Sequence, residues 1–237
     1  MIKNFIPLSG YRQWRKTWAE KPITPWVRLF AYIDMIFVDH GFLRPFYNKP
    51  YELAPGVWRS NQPSPRMLRK LKRNIGLKTV LNFRGDESTG YFALEQEACH
   101  KAGIQLVTRR LYSRNFPDIA VVKQLIADFA TLPKPILMHC KSGADRAGLG
   151  AALYLIIQEQ QPVELALNQL SLKFLHIKQA KTGLLDFMLE TYAQAQANTG
   201  IEFVDWLEQE FDATQLKAQF QVKGWARILV DLVLRRE

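Results

Sequence analysis

Residues 135–148, Pro-Ile-Leu-Met-His-Cys-Lys-Ser-Gly-Ala-Asp-Arg-Ala-Gly, join a short apolar run to a polar turn that contains a glycine. The run from Ile136 to Met138 is typical of a buried strand. From Ala144 onward the sequence is rich in Ala, Leu and Gly, and it predicts a helix. A loop between a buried strand and a helix N-terminus presents backbone N–H groups and the positive end of the helix dipole. The stretch therefore predicts an anion site.

Two side chains in this loop predict its chemistry. Cys140 opens the loop and Arg146 closes it, with five residues between them. An arginine binds two phosphate oxygens through its planar fork, and the helix terminus should stabilise the nucleophilic thiolate of Cys140. A sulfur nucleophile that faces a bound phosphate predicts phosphoryl transfer through a thiophosphate intermediate. The alternative is an inert buried cysteine, which leaves the nearby Lys141, Asp145 and Arg146 unexplained.

The pattern His139-Cys140-x5-Arg146 after a buried strand resembles the signature of the cysteine-dependent protein tyrosine phosphatases, most closely their dual-specificity branch. The resemblance implies an α/β fold with a central, mostly parallel sheet flanked by helices. A dual-specificity phosphatase-like catalytic domain would span residues 51–195, between a basic aromatic N-terminal extension (1–50) and a C-terminal helical extension (196–237). The implied phosphate-binding residues are Lys141, Ser142, Gly143, Ala144, Asp145 and Arg146.

The general acid has two candidates. Phosphatases of this class protonate the leaving oxygen with an aspartate on a separate upstream loop, and Asp118 is the nearest candidate. Asp118 also opens a helix, which makes an N-cap role equally consistent with the sequence. Asp145 is the other candidate, because Cys-x-x-Gly-x-Asp-Arg resembles myotubularin-like lipid phosphatases, in which the loop aspartate is the proposed acid. Its alternative role is to complement the helix dipole.

Composition limits the class of protein. The chain has 237 residues, 48% of them hydrophobic, and therefore predicts a globular protein. Two cysteines do not make a disulfide scaffold, and the N-terminus lacks the apolar core of a signal peptide. We therefore expect a cytoplasmic protein, peripheral to the membrane at most. No cofactor or metal is implied, because the loop and Arg146 supply the stabilising charge.

The formal net charge of +10 favours acidic partners. Zinc-ligand spacing and RNA-binding aromatic motifs are absent from the sequence, so we expect no nucleic-acid partner. The first hypothesis for the substrate is a protein phosphorylated on tyrosine, serine or threonine. The second is a phospholipid or inositol phosphate at an anionic membrane surface, which Lys141 and Asp145 favour. The third hypothesis is a phosphate-binding module without catalytic activity.

The N-terminal extension contains apolar residues at helical spacing. These are Trp26, Leu29, Phe30, Ile33 and Phe37. One interpretation is an amphipathic element that lies in the membrane interface. The other is a helix packed on the domain, which Asp34 and Asp39 favour because they interrupt the cationic face.

Several further elements are predicted. Residues 78–83 form a strand, and Arg84 and Asp86 follow at its carboxyl end, where ligands bind in open α/β sheets. Helices are expected at residues 65–74, 118–131, 163–178, 184–195, 201–211 and 214–234. In the helix at 163–178, a buried stripe is formed by Leu167, Leu170, Phe174 and Leu175.

Overall fold

A five-stranded sheet forms the centre of the protein. The computed structural model describes residues 24–85 and 89–220, together with Gln13, Trp14 and Trp18. The strands are β1 (Tyr51–Ala54), β2 (Val57–Ser60), β3 (Thr79–Asn82), β4 (Gln105–Thr108) and β5 (Ile136–His139). Their order is β1-β2-β5-β3-β4, with β1 antiparallel to β2 and every other pair parallel. This confirms the predicted α/β fold with a mostly parallel sheet.

Strand β5 lies in the middle of the sheet and leads into the Cys140 loop. It pairs in parallel with β2 on one side and with β3 on the other. All four of its residues are buried. Ile136 and Met138 contact one core and Leu137 contacts the other, as expected for a strand covered on both faces. The apolar run predicted from the sequence is therefore the central strand.

Helices cover both faces of the sheet. They are α1 (Pro25–Ile33), α2 (Pro65–Ile75), α3 (Gly90–Ala102), α4 (Ile119–Thr131), α5 (Asp145–Ile157), α6 (Val163–Ala166), α7 (Leu184–Thr199), α8 (Phe203–Gln209) and α9 (Ala213–Gln219). Helices α4 to α8 build the larger core on one face, and α2 and α3 build the core on the other face. Helix α1 packs against α3 in a third cluster.

The N-terminal segment is fixed to the domain through α3. Helix α1 begins after Thr24, whose side chain accepts a hydrogen bond from Val27 N. A Cβ atom on Gly90 would lie 2.9 Å from the carbonyl oxygen of Ala31, so only glycine permits this close approach. Arg28 forms an ion pair with Glu97 of α3. A π-helical turn (Asp34–Val38) and a 3₁₀ helix (Gly41–Phe46) continue the segment towards β1.

The predicted helix at residues 163–178 is wrong. Only α6 (Val163–Ala166) is α-helical, and the chain then forms 3₁₀ turns and passes through a left-handed residue, Leu175, at φ 62°. Side-chain bonds to distant parts of the protein fix this backbone, because Gln169 accepts hydrogen bonds from Arg59 and His176 contacts two aspartates. Tertiary bonds thus override the helical spacing of the apolar residues.

Other predicted helices are found close to their expected bounds. Ser64 caps α2 and Asp118 caps α4, each through a side-chain oxygen that accepts a backbone N–H. The predicted helix at 214–234 is described only as far as Gln219, and the remainder lies outside the described residues. The division of the chain at residues 50 and 195 stays a prediction. Within the ranges 24–85 and 89–220, no helix has the length and apolar character needed to cross a bilayer.

Packing between α5 and β3 yields a prediction about Gly150. A Cβ atom on Gly150 would lie 2.6 Å from Cζ of the buried Phe83 ring. Gly150→Ala should therefore lower the free energy of unfolding by about 1–2 kcal/mol, although alanine is the better helix former. Urea denaturation measures the change. In a Phe83→Leu background the clash is removed, and the same substitution should be neutral or stabilising. An equal loss in both backgrounds would contradict this explanation.

Candidate active site

Four consecutive carbonyl oxygens in the loop after β5, those of residues 141–144, accept hydrogen bonds from outside the loop. Gln62 N donates to the oxygen of residue 141 (3.3 Å), Asn48 Nδ2 to that of residue 142 (2.7 Å), and Arg59 Nη2 to those of residues 143 and 144 (2.6 and 3.2 Å). In a planar trans peptide, the carbonyl oxygen and the N–H of the next residue point in opposite directions. The N–H groups that follow these carbonyls therefore point away from the outside partners, towards the inner side of the loop. Ala144 N donates to Ser142 Oγ over 3.4 Å.

The sulfur of Cys140 lies on that inner side. Gly143 N donates a hydrogen bond to Cys140 Sγ over 3.2 Å, and Cys140 is 1% exposed. Successive inward N–H groups form a concave anion site, and the N-terminus of α5 adds its dipole to the same place. The arrangement places the sulfur next to backbone N–H donors and the helix N-terminus, where the oxygens of a phosphate group would bind.

Gly143 is required for this shape of the loop. It adopts φ +75°, in the left-handed region that other residues rarely adopt. A Cβ atom there would lie 2.6 Å from Asn61 N and 2.7 Å from the carbonyl carbon of Ser60. The loop thus approaches the backbone that follows β2 too closely for any side chain.

Arg59 on β2 is a site residue that sequence analysis missed. It is 1% exposed, and its second fork nitrogen, Nη1, donates to the carbonyl and side-chain oxygens of Gln169. Its guanidinium stacks on Phe174 at 3.8 Å from the ring centroid. Burial lowers the pKa of Arg59, and the nearby Cys140 and Asp145 raise it in part. A single arginine in a short strand carries no signal of this role in the sequence.

Asp145 begins α5 and is tied to a buried histidine. His176 Nδ1 lies 2.8 Å from Asp145 Oδ1, and His176 Nε2 lies 2.6 Å from Asp186 Oδ2. Carboxylate oxygens accept hydrogen bonds, so both ring nitrogens are donors and the ring is an imidazolium. Burial lowers the pKa of His176, but the bonds to the two aspartates outweigh it and raise the pKa to about 9.

A second buried network fixes the histidine that precedes Cys140. His139 Nε2 lies 2.8 Å from Glu95 Oε1, and both residues are fully buried. Glu95 also accepts hydrogen bonds from Gln62 (3.0 Å) and Asn82 (2.9 Å). The network joins α3 to the carboxyl ends of three parallel strands, and it holds the backbone from which the loop departs.

The N-terminal segment contributes Asp39 to the rim of the site. Arg84, directly after β3, holds the Asp39 carboxylate with both fork nitrogens, at 2.7 and 2.9 Å. Arg44 is a further partner, and Lys141 Nζ lies 3.5 Å from Asp39 Oδ1. Burial raises the pKa of Asp39, but these cations outweigh it and lower the pKa to about 2. The predicted rim position of Arg84 is thus explained, whereas Asp86 lies outside the described residues.

Arg146 and Asp118, the remaining predicted site residues, lie on different helices. Arg146 is the second residue of α5 and is 8% exposed. Asp118 is exposed and caps α4, where its Oδ1 accepts a hydrogen bond from Ala120 N over 2.8 Å. The loop that carries Asp118 leaves β4 at the same edge of the sheet as the Cys140 loop, because β4 and β5 both run parallel to β3. The catalytic role of each residue stays a prediction.

The second cysteine is separate from this site. Cys99 lies in the core formed by α2 and α3, whereas Cys140 belongs to the core on the opposite face of the sheet. Burial raises the pKa of the Cys99 thiol, which makes it a poor nucleophile. Among the described residues, no three His, Cys, Asp or Glu side chains come together as a metal site would require.

The role of Arg59 can be tested with inorganic phosphate. Arg59→Lys keeps the charge but cannot reach the oxygens of Gly143, Ala144 and Gln169 together. The affinity for phosphate should fall by about tenfold, because the loop amides are no longer fixed inward. Isothermal titration calorimetry measures the affinity, and circular dichroism checks that the variant is folded. A folded variant with unchanged affinity would contradict the positioning role.

The His176 imidazolium predicts how stability depends on pH. An ordinary histidine has a pKa of 6.5, and the folded protein raises the pKa of His176 to about 9. Its contribution is therefore complete below pH 6.5 and is lost as pH rises through 9, at most about 3 kcal/mol in all. Urea denaturation from pH 6 to 9.5 measures the loss. The ring proton signals in NMR should show no titration of His176 near pH 6.5, and a midpoint there would contradict the assignment.

The chain shares sequence and fold with known phosphatases. The dual specificity protein phosphatase TpbA of Pseudomonas aeruginosa (strain UCBPP-PA14) is 29% identical over 123 residues, which are 51% of this chain and 52% of TpbA. The chain thus spans about half the length of the curated relatives it matches. The crystal structure of a mutant form of Tk-PTP superposes with a TM-score of 0.50 at 15% identity, covering 64% of this chain and 98% of that chain. That likeness supports the fold alone.

The family assignment rests on a longer match. A family model described as the tyrosine phosphatase family matches residues 56–215, which is more than half of the chain. The matched range begins at β2 and runs through α8, so it contains Arg59, the Cys140 loop and the Asp145–His176–Asp186 chain. The chain therefore belongs to the tyrosine phosphatase family.

Proposed function

We propose that this protein hydrolyses phosphate monoesters through a phosphocysteine intermediate. The observation that carries the proposal is the position of Cys140 Sγ, which accepts a hydrogen bond from Gly143 N in the loop before α5. The N–H groups of this loop and the Arg146 guanidinium would bind the equatorial oxygens of the phosphate. The nucleophile, the oxyanion donors and the cation come from one loop and one helix terminus, as phosphoryl transfer requires.

The reaction has two steps. In the first, the Cys140 thiolate attacks phosphorus, a sulfur–phosphorus bond forms, and the bond from phosphorus to the ester oxygen breaks. A carboxylic acid gives its proton to the leaving oxygen, so an alcohol departs. In the second, water attacks the phosphocysteine while the same carboxylate accepts its proton. Inorganic phosphate leaves and the thiolate is restored.

Asp145 and Asp118 are the two candidates for the acid. Position favours Asp145, which directly precedes Arg146, but its Oδ1 is already bonded to the His176 imidazolium. Exposure of the carboxylate to solvent favours Asp118, whose Oδ1 caps α4. A carboxylate that must exchange a proton in every turnover benefits from access to water, whereas a buried one bonded to an imidazolium is suited to fixing the start of α5. Substitution of each residue distinguishes the roles.

The substrate class that we propose is a protein phosphorylated on tyrosine, serine or threonine. The support is the similarity to a relative named as a dual specificity protein phosphatase. The proposal places the enzyme in the cytoplasm, as the sequence predicts. The loop amides and Arg146 would supply the stabilising charge, so the proposal requires no cofactor.

A phospholipid or inositol phosphate is the second candidate substrate. Lys141 favours it only weakly, since its ammonium faces Asp39, which two arginines also hold. A more specific observation is the exposure of Phe42 (52%) and Phe46 (82%). Phe46 precedes by two residues the Asn48 side chain that bonds to the Cys140 loop. Apolar side chains beside a phosphate site suit a substrate that lies in a membrane.

The proposed roles of Cys140, Asp145 and Asp118 predict different losses of turnover on an aryl phosphate and an alkyl phosphate. Cys140→Ser should abolish turnover of both an aryl and an alkyl phosphate, by at least about 10³-fold. An aryl leaving group needs little protonation, so loss of the acid should lower kcat on the alkyl phosphate by about 10²-fold and leave aryl turnover nearly unchanged. Asp145→Asn and Asp118→Asn are compared in this way by phosphate release assays.

Matched controls make the comparison specific. Asp212 caps α9 as Asp118 caps α4, so Asp212→Asn removes an equivalent cap from a helix whose Lys217 bonds to Asn115, in the same loop as Asp118. Asp118 is not the acid if its variant behaves like Asp212→Asn on both substrates. If wild type binds phosphate or vanadate but hydrolyses neither ester, the enzyme proposal is wrong and the phosphate-binding module remains. A phosphotyrosine peptide and phosphatidic acid in vesicles then compare the two substrate classes.

A further inference from the structure

The predicted apolar stripe of the N-terminal segment faces solvent. Its most exposed members are Trp26 (73%) and Phe37 (68%), and Phe46 at the end of the segment is 82% exposed. We call this surface the apolar rim, and it is formed chiefly by Trp26, Leu29, Ile33, Phe37, Phe42 and Phe46. Monomeric proteins rarely expose a run of large apolar side chains, and such patches mark interaction sites.

The apolar rim belongs to a segment that is fixed in place. The side of α1 that meets the domain carries Ala31, which is fully buried against Gly90, and Arg28, which pairs with Glu97. Further along, Asp39 is buried in its cluster with Arg84. The exposed side chains therefore lie on the outer face of an anchored segment. Phe30 contacts Trp14 and Phe42 contacts His40, but Trp26, Phe37 and Phe46 stay more than two-thirds exposed.

Basic side chains lie on α2, the helix next to α1. Helices α1 and α2 both pack on α3, and Arg28 and Tyr32 of α1 line one cleft together with Arg69 of α2. Helix α2 is strongly basic on its outer side, where Arg66, Arg69, Lys70 and Arg73 are exposed. Apolar and aromatic side chains next to cations form the pattern of a surface that lies on anionic lipid headgroups.

We infer that the apolar rim and the basic face of α2 together dock this protein on the surface of an anionic lipid bilayer. The rim inserts its aromatic side chains at the boundary of the acyl chains, and the α2 cations contact the headgroups. The net charge of +10 adds long-range attraction to the same surface.

Docking in this orientation would bring the Cys140 loop to the headgroup layer. Asn48 Nδ2 bonds to the carbonyl oxygen of Ser142, and Phe46 lies two residues earlier in the chain. Two residues span at most about 7 Å, so the end of the rim lies close to the phosphate site. This consequence rests on the proposed function, whereas the docking itself does not.

Vesicle co-sedimentation of the full chain tests the docking. Wild type should bind phosphatidylcholine vesicles that contain phosphatidylglycerol and bind neutral vesicles weakly. Trp26→Glu with Phe37→Glu should reduce binding by about tenfold or more, because buried apolar area is lost and acidic groups meet the anionic lipid. Arg69→Glu with Arg73→Glu should also reduce binding, and high salt should weaken wild type in the same way.

The matched control is Leu165→Glu with Gln161→Glu, which adds the same charge at two exposed residues outside the rim. Leu165 lies on α6, a helix of the core on the opposite face of the sheet from α2 and α3. This variant should bind vesicles within about twofold of wild type, because its apolar rim is unchanged. An equal loss in both double variants would overturn the assignment of the surface, since charge alone would then explain binding.

Turnover of a soluble aryl phosphate separates the two proposals. If wild type hydrolyses the ester but does not bind anionic vesicles, the docking proposal is wrong and the proposed function stands. Wild type that binds vesicles but hydrolyses nothing would overturn the proposed function and leave the docking standing. Analytical ultracentrifugation adds a further outcome. Wild type could be a dimer and the rim variant a monomer, with neither protein binding vesicles. The rim would then be a self-association interface, and the docking proposal would be wrong.

Discussion

The site depends on the capture of four consecutive carbonyl oxygens from outside the loop. Gln62, Asn48 and Arg59 hold the oxygens of residues 141–144, which turns the following N–H groups away from these partners. The N–H of Gly143 donates to Cys140 Sγ. Glycine at position 143 allows the backbone to come close enough for these bonds to form. If these oxygens pointed inward, the loop between β5 and α5 would not be an anion site, because a ring of carbonyl oxygens repels phosphate.

Buried charges maintain this arrangement. Arg59, the Asp145–His176–Asp186 chain and the Asp39–Arg84 pair all lie next to the loop, and each joins segments that are far apart in the sequence. A buried charge costs several kcal/mol of desolvation, which its partners offset only when the geometry is good. Loss of any one partner would leave the other charge buried without compensation. The charges therefore fix one arrangement of the loop more than they add to stability.

Sequence reasoning predicted the elements whose signals are local. The strand at Ile136 to Met138, the caps at Ser64 and Asp118, and the position of Cys140 at a strand end each follow from neighbouring residues. It failed where the cause is distant. The segment 163–178 has the apolar spacing of a helix, yet the bonds of Gln169 and His176 to other elements decide its backbone. Arg59 and Asn48 were missed for the same reason, because their partners lie 84 to 126 residues away in the sequence.

The N-terminal segment shows how one pattern can satisfy two interpretations. Apolar residues at helical spacing predict a buried face when a helix packs on its own protein and a lipid-facing one when it lies on a membrane. In the structure the contact with α3 is made by Ala31 opposite Gly90 and by Met35, with Val27, Tyr32 and Ile36 packed beside them. The stripe residues Trp26, Leu29, Ile33 and Phe37 take no part in this cluster and face outward. They are therefore available to a partner, and the fixed link through Asp39 and Asn48 places that partner beside the Cys140 loop.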